Sequence, residues 1–189
     1  MRIRMQDLLD GHSQVLAGAL NGRKALAKLV EQTSEEPEEP EEVFLDFSGV
    51  QVATASFLRE TVFAFRDTIR RRRSHFYPVI ANAESVVEDE LKVLVKSNNS
   101  VLMLCSLDQN GKVDKPRMVG NLDPKQQLTF NLVQKGVTDA ARLMREHGET
   151  ENIKQTAWNN RLAALTSLGL VVELSTGRAK RYRPLFEEA

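Results

Sequence analysis

The residues of this chain whose type and spacing most clearly indicate chemistry are basic and lie near its end. Arg178, Lys180, Arg181 and Arg183 place four positive charges within six positions that contain no acidic residue, just after a Ser-Thr-Gly turn signal at 175–177. A hairpin charged in this way suits nucleic-acid phosphates, because each neutralised phosphate releases a condensed counterion. Side-chain alternation sends Lys180 and Arg181 to opposite sides, so the four cannot all contact one ligand. The alternative is an edge strand whose charges prevent aggregation.

The segment before this hairpin, from Ile153 or Gln155 to Leu168, is predicted to be a helix with an apolar back and a polar front. The apolar back consists of Trp158, Leu162, Leu165 and Gly169. The front consists of small or amide side chains, namely Thr156, Asn160, Ala163 and Ser167, with Asn159 at the flank. Asparagine can make paired hydrogen bonds to adenine edges, and small neighbours permit close approach in a major groove. A solvent-facing surface helix is the simpler interpretation for this segment alone, but helix and hairpin together favour DNA binding.

We therefore predict double-stranded DNA as a partner. The predicted contacts are Thr156, Asn159, Asn160, Arg161, Arg178, Lys180 and Arg181.

Two further helices are expected upstream of these elements. Asp123-Pro124 is an N-cap followed by proline at the first helical position, and the helix should end near Lys135-Gly136. Thr138 is predicted to cap a second, short helix through Met144 that ends near Gly148. Three helices followed by a hairpin are typical of a winged helix-turn-helix.

The stretch 159–171, Asn-Asn-Arg-Leu-Ala-Ala-Leu-Thr-Ser-Leu-Gly-Leu-Val, resembles the recognition-helix-to-wing segment of bacterial winged-helix regulators. The shared pattern is an Arg-Leu pair, a leucine three residues on, and Gly-Leu-Val at the turn into the wing. The resemblance covers about 123–186 and implies a mostly α winged helix-turn-helix domain over 121–189. It implies nothing about the target sequence.

The charge of the whole chain hides an uneven distribution. The 189 residues hold 26 basic and 26 acidic side chains, and the resulting pI near 6.9 would argue against a nucleic-acid partner. However, residues 1–115 hold 15 basic and 18 acidic side chains, whereas 116–189 hold 11 and 8. Part of the acidic excess is the run 34–42, which has six glutamates and two prolines. We expect a solvated loop there, with an acidic partner-binding segment as the alternative.

Strands and helices alternate over 1–120, which predicts an α/β layer domain. The expected strands are Arg2 to Met5, Val43 to Phe47, His75 to Ala81, Val101 to Leu107 and a hairpin return after Asn110-Gly111 near Arg117 to Val119. The expected helices are Ser13 to Gln32, as one broken helix or as two helices joined at Asn21-Gly22, then Ser56 to Arg73 and Ser85 to Lys96. Pro78 suggests that its strand lies at an edge or carries a bulge.

The helix from Ser56 is predicted to carry a protein interface. On a regular helical wheel Phe63 falls off the apolar arc and beside Arg59, Arg66 and Arg70, and an exposed aromatic among arginines matches interface composition. The run Arg70–Arg73 is either a patch that binds nucleic acid or phosphate, or a set of cations that complements the helix C-terminus.

The segment 43–60 is similar to the STAS-like domains, relatives of the anti-sigma-factor antagonists. The residues that carry the resemblance are the strand Val-Phe-Leu-Asp-Phe-Ser-Gly-Val at 43–50, then Ala55-Ser56-Phe57-Leu58 and Glu60, with Gly22-Arg23 upstream. The resemblance implies a small α/β module whose strand-to-helix loop meets a protein partner. The partner-binding residues would be Thr54, Ser56, Arg59, Phe63 and Arg66.

In the antagonists this loop reads Asp-Ser-Ser-Gly, and its first serine is phosphorylated by a histidine-kinase-like ATPase. Here Ala55 stands at the acceptor position, so the phosphorylation switch does not carry over directly. Thr54 or Ser56 could substitute, although Ser56 is better explained as a helix N-cap.

Catalytic and metal-binding patterns are weak in this sequence. The three histidines, His12, His75 and His147, have no zinc-site spacing, and Asp46 ends a strand without an evident base or nucleophile beside it. A single cysteine and the lack of a signal peptide or an 18-residue apolar run indicate a reduced, cytoplasmic protein that does not span a membrane. We predict neither an enzyme nor a cofactor or metal site.

The favoured hypothesis is a bacterial DNA-binding transcriptional regulator with a STAS-like domain that senses a signal or a partner. The alternative is a partner-switching adaptor that binds an ATPase-like signalling protein and not DNA. A homodimer on a near-palindromic site is expected if two recognition helices act together.

Overall fold

A mixed five-stranded sheet organises the first part of the chain. The computed structural model describes residues 1–9, 13–176 and 179–187 and divides the chain into two units, Met1–Asn121 and Leu122–Ala189. The strands of the first unit are β1 (Arg2–Arg4), β2 (Val15–Leu16), β3 (Glu41–Asp46), β4 (Val52–Ala53), β5 (Phe76–Ala81), β6 (Val101–Leu107) and β7 (Val113–Gly120). Its helices are α1 (Ala19–Gln32), α2 (Ala55–Leu58), α3 (Ala64–Arg71) and α4 (Ser85–Ser97).

The sheet order is β1-β3-β5-β6-β7, in which the first four strands are parallel and β7 is antiparallel to β6. β2 and β4 form a separate parallel pair. Because both faces of a parallel sheet are covered, its central strands are apolar throughout, as Val101–Leu104 and Val79–Ala81 are. The predicted mixed α/β class is confirmed.

Of the two alternatives for Pro78, the edge strand is wrong, and the register between β3 and β5 runs through Val43 and Pro78 without the shift that a bulge would cause. β5 lies between β3 and β6, and its pairing with β6 is formed at Ile80 and Ala81, two residues past the proline. The missing N–H of Pro78 therefore does not interrupt that ladder.

The predicted break of the first helix at Asn21-Gly22 is wrong. Gly22 instead allows α1 to approach the helix that begins at Ala55. α1 is continuous through Gly22, and the chain bends instead at Gly18, which has a φ of +86°. A Cβ on Gly22 would lie 2.8 Å from Cβ of Glu60 and 2.9 Å from the carbonyl oxygen of Phe57. The Thr61 hydroxyl donates to the Gly22 carbonyl oxygen at 3.0 Å, which fixes this contact.

A π-helical turn, Arg59–Phe63, joins α2 to α3 and changes which residues face the core. A turn bonded from i to i+5 holds more residues than an α-turn, so a regular wheel misplaces the residues within and after it. Thr61, Val62 and Phe63 are consequently all buried, with Phe63 only 4% exposed. The prediction that Phe63 is exposed is wrong for this reason.

The acidic run is a loop only in part. Glu41 and Glu42 begin β3, whereas Glu35, Glu38 and Glu39 are exposed before it.

The second unit consists of three helices and a hairpin: α5 (Pro124–Val133), α6 (Ala140–Glu151), α7 (Gln155–Ser167), β8 (Val171–Thr176) and β9 (Ala179–Pro184). Asp123 begins α5 with a capping box completed by Gln126. α6 begins after Asp139 rather than Thr138, since the Asp139 carboxylate accepts from the backbone N–H of Arg142 at 2.7 Å. α6 also continues past the predicted end near Gly148.

We expect Gly22→Ala to lower the free energy of unfolding by about 1–3 kcal/mol, because the added methyl overpacks the contact with the helix at Phe57 and Glu60. Helix propensity alone would instead stabilise this variant by about 1 kcal/mol. Urea unfolding followed by circular dichroism measures the sign, with Lys24→Ala on the exposed side of α1 as control. A gain in stability for Gly22→Ala would contradict the close approach.

Candidate nucleic-acid interface

The buried face of α7 is the one expected from its sequence. Trp158, Leu162 and Leu165 are each 0% exposed, which confirms their predicted position. The helix ends where Gly169 takes a φ of +76° and the Leu170 N–H bonds to the Leu165 carbonyl, a glycine-based C-terminal stop.

The opposite face of α7 is exposed and uncharged. Its exposed residues are Gln155, Thr156, Asn159, Asn160, Ala163 and Ser167. The Ser167 hydroxyl donates to the Ala163 carbonyl at 2.9 Å and is engaged within the helix. Within the described part of the chain, the side-chain amides of Asn159 and Asn160 make no hydrogen bond. They are therefore available to a partner.

Arg161, a predicted DNA contact, is less exposed than Asn159 and Asn160. Its guanidinium carbon is 5.3 Å from the centroid of the Trp158 ring, a cation–π distance. One terminal nitrogen of Arg161 is buried and has no hydrogen-bond partner among the described residues. The structure thus packs the charge of Arg161 against the tryptophan of the buried face.

The hairpin presents its basic residues on two sides. Lys180 and Arg181 are exposed, and the Lys180 ammonium lies 2.7 Å from the Glu173 carboxylate. Arg183 donates to the carbonyl oxygens of Pro184 and Leu185 and is held against its own strand. Arg178 lies outside the described residues.

A backbone bridge ties β9 to the chain just before α6. Thr138 and Tyr182 exchange two hydrogen bonds of 2.9 and 2.8 Å between their backbone groups. Tyr182 is 2% exposed, so this strand is anchored at its centre.

A groove of about 660 Å³ lies between the start of α6, the exposed face of α7 and strand β9. Its lining residues are Asp139, Ala140, Ala141, Gln155, Asn159, Asn160, Ala163, Lys180 and Tyr182. We call it the α7–β9 groove. It brings three predicted DNA contacts together, Asn159, Asn160 and Lys180, whereas Thr156 and Arg181 are not among its lining residues.

In the first unit, Thr54 and Ser56 are brought together. Their hydroxyl oxygens are 3.1 Å apart, and that of Thr54 accepts from the backbone N–H groups of Gly18 at 3.2 Å and Phe57 at 3.4 Å. Thr54 is therefore the N-cap of α2, and the assignment of that cap to Ser56 is wrong.

The other predicted partner-binding residues do not form one exposed surface with this pair. Arg59 is exposed, but Phe63 is in the core, and the side chain of Arg66 is only 12% exposed. Arg66 donates to the Ser100 hydroxyl at 2.6 Å and to the Val101 carbonyl at 2.9 Å, which gives it a structural role.

Sequence reasoning missed three exposed apolar residues near Thr54. Val15 and Val52 are 49% and 39% exposed and paired on β2 and β4, and Leu20 at the start of α1 is 62% exposed. Two-residue strands are too short for hydrophobic alternation to reveal them.

The arginines of the Arg70–Arg73 run differ in their surroundings. Arg70 donates to the carbonyl oxygens of Ser74 and Phe76 at 3.1 and 2.8 Å and lies 4.2 Å from the centroid of the Tyr77 ring. These contacts hold Arg70 against the chain beyond the end of α3, while Arg71 and Arg73 are exposed.

Asp46 is the centre of a buried polar cluster at the carboxyl end of β3. Its carboxylate is 0% exposed and accepts hydrogen bonds from Arg2, Asn82 and both the N–H and hydroxyl of Ser48. Burial, the largest single influence, raises the pKa of Asp46, but the hydrogen bonds from Ser48, Asn82 and Arg2 together hold it below its ordinary value. Groups of the protein itself therefore occupy both oxygens of this carboxylate.

Because the pKa of Asp46 is lower in the folded than in the unfolded chain, its ionisation stabilises the fold above about pH 4 and ceases to do so as pH falls through the folded value. We expect Asp46→Asn to lower the free energy of unfolding by about 1–3 kcal/mol at neutral pH. The difference from the wild type should shrink below about pH 4.

Urea unfolding between neutral and acidic pH measures this difference. The control is Asp89→Asn, which removes a 73%-exposed carboxylate from an ion pair with Lys92 that contributes little. A difference for Asp46→Asn that is independent of pH would contradict the assignment.

Among the helices of the described residues, none has the length and apolar composition that a membrane crossing requires. No protein-family model matches this chain, and none of the curated proteins matches it with significant similarity. The function proposed for it therefore rests on the geometry and charge of its own residues.

Proposed function

We propose that the chain is a DNA-binding transcriptional regulator, with a winged helix-turn-helix as its second unit and a STAS-like, partner-sensing first unit. The observation that carries the proposal is the α7–β9 groove, in which the free amides of Asn159 and Asn160 share one concave surface with the ammonium of Lys180.

The order and pairing of elements support the winged-helix assignment. α5, α6 and α7 are followed directly by the β8–β9 hairpin. Thr138, before α6, forms an isolated antiparallel bridge with Tyr182 of β9. In such domains the third helix lies in the major groove and the hairpin contacts the neighbouring backbone. α7 has the matching features, since one of its faces is fully buried and the other carries no acidic residue.

The charges of the hairpin fit a phosphate backbone. Lys180 is 57% exposed, and its Glu173 partner is a carboxylate that a phosphate can replace as the counter-charge. Arg181 supplies a second exposed cation on the other side of the same strand. A sugar-phosphate strand that passes between α7 and β9 would meet Lys180 while base edges face the amides.

A second candidate function, the partner-switching adaptor, is favoured by the apolar residues Val15, Leu20 and Val52 near Thr54. Exposed apolar groups of this kind mark protein contacts when they are contiguous. This candidate predicts a protein complex that survives nuclease treatment and is lost in Val15→Asp/Val52→Asp, with no affinity for duplex DNA.

Fluorescence anisotropy with a random-sequence duplex tests DNA binding. We expect the wild type to bind at low salt, and Lys180→Ala/Arg181→Ala to bind at least about tenfold more weakly. The slope of log affinity against log salt should become shallower by about 1, since Lys180 is the one of the two cations that lines the groove and each lost phosphate contact removes about 0.9.

The matched control is Lys125→Ala/Lys135→Ala, which removes the same charge from two exposed positions, one at the start of α5 and one just after its end. It should leave both affinity and slope nearly unchanged. Absence of binding by the wild type, or equal losses in the two double variants, would contradict the proposed function.

A further inference from the structure

The side chains of the α7–β9 groove differ sharply in which base edges they can bind. Arginine or lysine is suited to guanine, aspartate or glutamate to cytosine, asparagine or glutamine to adenine, and alanine to the thymine methyl group. The part of α7 that lines the groove offers three amides and a methyl, from Gln155, Asn159, Asn160 and Ala163. This part of α7 offers no ionisable group, and the carboxylate of Asp139, which lines the groove from the start of α6, is engaged by the backbone N–H of Arg142.

The one charged residue within α7 is withdrawn from that face. Arg161 is the only Lys, Arg, Asp or Glu between Gln155 and Ser167, and its guanidinium lies over the Trp158 ring. A paired contact from α7 to the guanine edge therefore has no donor of the suited type on the exposed face.

The spacing of these residues fits consecutive bases. Gln155, Asn159 and Ala163 are four residues apart and form one row along the helix, with Asn160 beside it. Eight residues of helix span about 12 Å, which is the length of about three to four base pairs. The row is thus long enough to meet several neighbouring base edges.

Lys180 faces the same groove from β9 and supplies the contact that is independent of sequence. A phosphate contact at this position would fix the register of α7 on the duplex without carrying sequence information. The amides would then be the groups that discriminate between bases.

We propose that α7 recognises A·T base pairs in the major groove through Asn159, Asn160 and Gln155, so that the target site is A·T-rich where α7 contacts it. This inference rests on the proposed function and specifies the ligand of the same groove. Lys180 determines affinity for any duplex, and the amides determine the preference among duplexes.

The test compares three duplexes of equal length by anisotropy: one of A·T pairs in mixed order, one of G·C pairs, and the A·T duplex with 7-deazaadenine in place of adenine. Equal length gives equal phosphate number, so the electrostatic contribution is matched. The modified base removes the major-groove N7 acceptor. A preference for the narrow minor groove of A·T sequences would survive that change.

We expect the wild type to bind the A·T duplex at least about tenfold more tightly than the G·C duplex, and to lose most of this preference on 7-deazaadenine. Asn159→Ala/Asn160→Ala should bring the ratio close to one with an unchanged salt slope. Lys180→Ala should weaken binding to every duplex by a similar factor and leave the ratio intact.

A ratio of one in the wild type, or a preference that survives either 7-deazaadenine or the double asparagine variant, would overturn the inference while the proposed function stands. Failure to bind any of the duplexes would instead remove the proposed function itself, and the inference with it.

Discussion

The proposed DNA binding depends on one constraint, which is the face of α7 that the protein buries. Full burial of Trp158, Leu162 and Leu165 removes three large apolar side chains from water, and each contributes about 1.5–3 kcal/mol. A rotation of the helix by one position would expose this surface and bury unpaired amides. Burial of the back of α7 therefore directs Asn159 and Asn160 outward.

The position of the hairpin is set by backbone pairing and not by its charges. The two hydrogen bonds between Thr138 and Tyr182 hold β9 beside the start of α6, and the buried Tyr182 ring anchors the strand. Lys180, two residues earlier, then faces the groove. The backbone pairing does not use the side chain of Lys180, which can therefore serve a ligand.

The sequence was sufficient wherever local periodicity decides structure. The buried and exposed faces of α7 followed from its regular 3.6-residue period, and the central strands followed from short apolar runs. Phe63 was misplaced because a π-turn, which contacts α1 through Thr61 and Gly22, breaks that period. The assignment of Pro78 to an edge strand was wrong because the residue at which β5 begins to pair with β6 depends on the whole sheet and not on the local sequence.

Side-chain destinations were the least predictable part of the candidate site. Thr54 and Ser56 are both suitable N-caps by type, and only the backbone conformation selects Thr54. Arg161 lies in the middle of the predicted reading helix, yet packing over Trp158 withdraws it from the exposed face. The zero net charge of the chain was equally uninformative, because binding depends on the local field around a groove and not on the average.

The most direct measurement of the central claim is a residue-resolved NMR titration of the full chain with duplex DNA. We expect the backbone N–H resonances of Asn159, Asn160 and Lys180 and the side-chain amide resonances of the two asparagines to shift. The resonances of the buried residues of α7 and of the Asp46 cluster should stay nearly unchanged. Shifts centred on the exposed arginines Arg71 and Arg73, with α7 and β9 silent, would contradict it.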